Sequence, residues 1–95
     1  MVVPEPRIAT DTEITGSLLR QIREARSIDI ITIAQRTKVN ASHLRAIEEE
    51  NWEVMPAQVY LRGFLVEYAR FLKLDIGQVT KTFIARYIRS RKQRD

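Results

Sequence analysis

The chain of 95 residues has no cysteine, which excludes a disulfide framework and any thiolate metal site. That absence suits a reducing compartment, and a cytoplasmic chain is the expectation. Only three glycines occur, and none forms a glycine-rich phosphate loop. His43 is the only histidine, without clustered carboxylates to complete a metal site, so it reads as an ordinary exposed side chain. No metal or cofactor is expected. Ser17, Ser27, Ser42 and Ser90 have no histidine–carboxylate relay at a suitable spacing, so catalysis is not expected either. Long apolar runs are missing: Ile30-Ile31 and Phe64-Leu65-Val66 are far too short to cross a bilayer. The stretch Met1 to Arg7 lacks the basic and apolar regions of a secretory signal. Residues 1–15 are read as a flexible tail or linker, residues 16–89 as one domain, and residues 90–95 as a basic tail.

What is present is charge, unevenly placed. Residues 1–53 carry seven Lys or Arg against nine acids, a balance of −2, whereas residues 54–95 carry nine basic groups against Glu67, Asp75 and Asp95, a balance of +6. The positive excess therefore gathers late in the chain, much of it in Arg86, Arg89, Arg91, Lys92 and Arg94. A basic tail of this kind is a solvated helix end, or else a contact for anionic lipid or nucleic acid.

Apolar residues recur at helical spacing throughout, with no alternation of period two, so the fold class is all-α: a five-helix bundle. The spacing predicts helix one over about Ser17 to Arg26, capped by Thr15 or Ser17. Asp29 caps helix two, about Ile30 to Thr37, and Asn40 caps helix three, from Ala41 to about Glu49. Two helices this short joined by a tight turn make a helix-turn-helix, which needs support from other helices. Asn51 to Met55 connects to Pro56, whose fixed φ suits a helix start, and helix four covers about Ala57 to Leu72. Asp75 caps helix five, Ile76 to roughly Arg89, with Val79, Phe83 and Tyr87 on its stripe. Trp52 should cover the connector.

Helix four carries two apolar stripes: Leu61, Leu65, Tyr68 and Leu72, then Tyr60, Phe64 and Phe71, interrupted by Glu67. A surface helix needs only one. Either helix four has neighbours on both sides, or Tyr60 and Phe64 meet a partner. Ile31, off the stripe of helix two, likewise belongs to a wider core or extends an interaction patch.

The runs Leu18-Leu19-Arg20-Gln21-Ile22-Arg23-Glu24-Ala25-Arg26, Ile33 to Lys38, Leu44 to Glu49, Met55-Pro56, Val59-Tyr60-Leu61-Arg62-Gly63-Phe64-Leu65 and Tyr68 to Leu72 resemble the cytoplasmic domain of the RodZ cell-shape family. That family is a branch of the Xre/Cro-like helix-turn-helix domains. The resemblance covers about Gly16 to Ile88. It implies a protein-interaction domain that binds the bacterial actin MreB in the cytoplasm. It also implies a tether, through a basic juxtamembrane segment, to one transmembrane helix, here only if such a helix follows in a longer protein. Two aromatics of the family's fourth helix touch the actin, and Tyr60 and Phe64 stand at the matching positions.

The alternative is a transcriptional regulator that reads DNA with helix three, through Ser42, His43 and Arg45. Against it, Ala41 and Ile30 stand where readers carry long polar side chains. Glu48, Glu49 and Glu50 end the helix with carboxylates, which repel phosphate.

Overall fold

Each of the first three helices begins on a side chain that satisfies a free backbone amide. Thr15 Oγ1 accepts from the Leu18 amide at 3.0 Å, Asp29 Oδ1 from Ile31 at 3.2 Å, and Asn40 Oδ1 from Ser42 at 2.8 Å. The computed structural model describes residues 4–94, with side chains through Lys92. These caps open α1 (Gly16–Ala25), α2 (Ile30–Thr37) and α3 (Ala41–Glu49). A single 3-10 turn, Trp52–Val54, leads to α4 (Gln58–Phe71). Asp75 then caps α5 (Ile76–Arg94), its Oδ1 accepting from the Gln78 amide at 2.9 Å. Among the described residues there are five α-helices and no strand, the all-α bundle that the periodicity predicts.

The helices stop without glycine. Ser27, Lys38, Glu50 and Lys73 adopt left-handed backbone at φ between 51° and 64°. Three of these ends close as Schellman motifs: the amides of Ile28, Asn51 and Leu74 reach back to the carbonyls of Arg23, Ala46 and Ala69. Lys38 makes the simpler version, its amide bonding Ala34.

α2 and α3 pack on one another and are held from outside, α3 by α1 and α2 by α4, while α4 lies along α5. Leu19, Ile22, Ile33, Leu44, Ile47, Leu61, Leu65, Tyr68, Leu72, Val79 and Phe83 are fully enclosed between them. Trp52 covers the far end, with its ring 5.7 Å from Phe83 and 6.2 Å from Tyr87. Gly16 fixes how closely α1 meets α3. A Cβ there would stand 2.1 Å from the Ile47 carbonyl oxygen, and the Gly16 amide donates to a Glu50 carboxylate oxygen at 2.8 Å.

The expected flexible tail over residues 1–15 is corrected for its described part; Met1 to Val3 lie outside the described residues. Ile14 is fully buried, and Ile8 packs against the core. The Ile14 amide donates to Thr82 Oγ1 at 2.9 Å, while Gln78 Nε2 donates to the carbonyls of Ala9 and Thr12 at 2.7 and 3.0 Å. Arg26 forks onto Glu5 at 2.7 and 3.0 Å, and Glu13 accepts from Arg86 and Arg89. Glu5 and Glu13 are both held below the usual carboxylate range by these guanidinium hydrogen bonds. At the other end, α5 continues through the expected tail as far as Arg94, and Arg91 sits 5.6 Å over the Tyr87 ring. The side chains of 93–95 lie outside the described residues.

Candidate interaction surface

The three glutamates that close α3 do not share one fate. Glu48 is 7% exposed and faces inward. Arg23 grips it with two hydrogen bonds, at 2.7 and 2.9 Å, and gives a third to the Ile28 carbonyl at 2.8 Å. The Tyr68 hydroxyl donates to the same carboxylate. Burial, followed by the Glu48 charge, pushes the Tyr68 hydroxyl well above its ordinary pKa, so it remains a neutral donor. The Glu48 hydrogen bond raises Arg23 above its ordinary value although desolvation opposes it. Glu50 turns to the Gly16 amide and to Arg86. Burial alone would lower the Arg86 pKa, yet Glu50 and Glu13 raise it. Only Glu49 projects into solvent. The expectation that three carboxylates repel a duplex is therefore corrected: two are consumed inside the fold by arginines.

The proposed readers on α3 are also unequal. Arg45 is exposed, whereas the exposed Ser42 hydroxyl donates to the Asn40 cap at 2.7 Å. His43 is not the freely exposed side chain expected. Its ring stacks on Phe64 with centroids 5.1 Å apart and planes 20° apart, and its buried Nδ1 has no hydrogen-bond partner. That stack joins α3 to α4 and leaves His43 half-buried. Ile31 on α2 is 40% exposed, so it is not part of a widened core.

On α4 the first stripe is interior and the second divides. Leu61, Leu65, Tyr68 and Leu72 are enclosed, as their spacing predicts. Tyr60 is 64% exposed; Phe64, one turn on, is half-buried by His43. Val59 is 75% exposed, a residue that sequence reasoning left aside although its position off the core stripe marks it. Tyr60 and Phe64 thus share one flank of α4. Among the described residues no three His, Asp or Glu side chains gather as metal ligands, and no helix is long and apolar enough to cross a membrane.

A family model described as a helix-turn-helix domain matches residues 18–79, from α1 into the first turn of α5. The chain belongs to this helix-turn-helix family. The domain is also similar to the "Uncharacterized membrane protein YmfM" of Bacillus subtilis (strain 168), with 37% identity over 43 residues. That match takes in 45% of this chain but only 15% of the relative, so the matched stretch is a small part of a much longer protein. No solved structure matches the chain.

Proposed function

We propose that this helix-turn-helix domain is a non-catalytic adaptor, with α2 and α3 serving as scaffold and α4 docking onto a protein partner, a bacterial actin of the MreB type. One observation carries the reading: Tyr60, a large amphipathic ring, stands 64% exposed at the start of α4, where it closes no part of the core. Exposed aromatics are the side chains that anchor interfaces. The resemblance of the α4 run Val59 to Leu65 to RodZ-type domains supports the same partner. The Bacillus relative is named as a membrane protein, which accords with a domain held at the cytoplasmic face of a membrane by a longer chain.

Tyr60→Ala and Phe64→Ala, titrated by calorimetry against purified actin homologue, should each weaken binding by about 2 kcal/mol or more. Tyr60→Ala is the cleaner variant because Phe64 also stacks on His43. Unchanged affinity in both rejects the assignment.

One observation favours a second reading, DNA binding through α3. With Glu48 and Glu50 turned inward, the exposed residues of α2, α3 and the turn between them include Arg36, Lys38 and Arg45 against the single carboxylate of Glu49 on α3. A reader of this kind binds a preferred duplex at physiological salt, and Arg45→Ala then costs about 1–3 kcal/mol at one base position. Weak binding that disappears with added salt, whatever the sequence, rejects it.

A further inference from the structure

On its opposite flank α4 borders a groove that the docking reading above does not use. Its space of about 580 Å³ is lined by Val59, Ile84, Ala85 and Ile88, by Gln58 and Thr80, and by the exposed Arg62 and Lys81. A space of this size accepts one or more large apolar side chains. No carboxylate lines it. Three cations elsewhere on α4 and α5 are paired: Arg70 with Glu67, Arg86 with Glu50 and Glu13, and Arg89 with Glu13. Among the described residues, Arg62 and Lys81 form no such pair. The groove thus joins apolar walls to two uncompensated positive charges.

We infer that the α4–α5 groove docks an acid-flanked apolar helix of a protein partner. Its apolar side lies between α4 and α5, and its carboxylates meet Arg62 and Lys81. A second copy fits poorly, because an isologous contact would set Arg62 and Lys81 against their own like charges. The inference goes beyond the Tyr60 surface and does not depend on it.

The test titrates two helical peptides into the full chain labelled at isoleucine and valine methyls. One carries a leucine stripe flanked by glutamates; the other replaces the glutamates with lysines. The acid-flanked peptide should shift Val59, Ile84 and Ile88 saturably and bind about tenfold or more tighter than its counterpart. Arg62→Glu combined with Lys81→Glu should reverse that preference. Tyr60→Ala should leave the titration unchanged. The inference is overturned by equal binding of both peptides, by indifference to the charge reversal, or by absence of saturation. Shifts that appear on concentrating the chain alone, or only with phosphatidylglycerol vesicles, overturn it as well, as does loss of peptide binding in Tyr60→Ala.

Discussion

Gly16 and Gly63 both sit in α-helices, neither with a positive φ, yet they face opposite surroundings. At Gly16 a methyl group would collide with the Ile47 and Glu48 carbonyls, which belong to backbone and cannot rotate away. Gly16→Ala should therefore force α1 off α3 and cost about 3 kcal/mol, the upper part of the range for overpacking. Gly63→Ala should instead stabilise by roughly 0.5–1 kcal/mol. Thermal melts by circular dichroism check the contrast, and a Gly16→Ala protein that melts like the parent refutes the close approach. The sequence alone offered no means of separating these glycines, because the difference lies in what sits across from each one.

Glu48 was more legible than it was taken to be. It stands four residues after Leu44, on the buried side of α3, and so its position already marked it as unlike Glu49. What local pattern did not reveal was its partner, since Arg23 is 25 residues away and Tyr68 is on another helix. The exposure of Tyr60 follows from its surplus over one apolar stripe, whereas Phe64, on the same second stripe, is half-buried against His43. The His43 stack was hidden, as it depends on how α3 crosses α4.

Among the elements, starts were readable and stops were less so. Asp29, Asn40 and Asp75 act within a few residues of themselves, so each cap could be assigned from sequence. The stops use Ser27, Lys38, Glu50 and Lys73 in left-handed backbone, where glycine is the usual signal. An L-residue pays roughly 1–2 kcal/mol for that conformation, partly offset because it also has less unfolded-chain entropy to lose than glycine. Lys38→Gly, at the turn between α2 and α3, should thus stabilise by about 0.5–1 kcal/mol. For a domain of this size that raises the melting temperature by a few degrees. A lowered value would mean that the Lys38 side chain contributes something the backbone geometry does not reveal.

For the molecule as a whole, the segment before α1 acts as a strap. It crosses from Arg26, beside the end of α1, to Arg86 and Arg89 on α5 through Glu5 and Glu13. It was not legible because Ile8 and Ile14 stand singly among polar residues, with no period to betray burial. The strap also explains why the basic excess of the second half overstates the free charge, since Arg86 and Arg89 are already engaged. Both carboxylates titrate below their ordinary range when folded, so the stability they lend is present above that range. It disappears as the pH falls through the depressed values. The protection of the Thr12 and Ile14 amides, relative to the intrinsic exchange rate at each pH, should fall below about pH 4 while Leu44 and Leu65 in α3 and α4 stay protected. Added salt at neutral pH should loosen the same contacts partially, because these pairs are exposed. Uniform exchange across all four positions would argue against a separately held strap.

The burial of Ile14 bears on how the protein can be cut. A fragment trimmed to the boundaries of the family match, residues 18–79, discards Ile14 and Gly16 at one edge and Phe83, Ile84 and Tyr87 at the other. Such an excerpt keeps every signature of its kinship and loses the floor and one wall of its interior. It should be recovered as a molten or aggregating species, without the sharp unfolding transition of the longer chain.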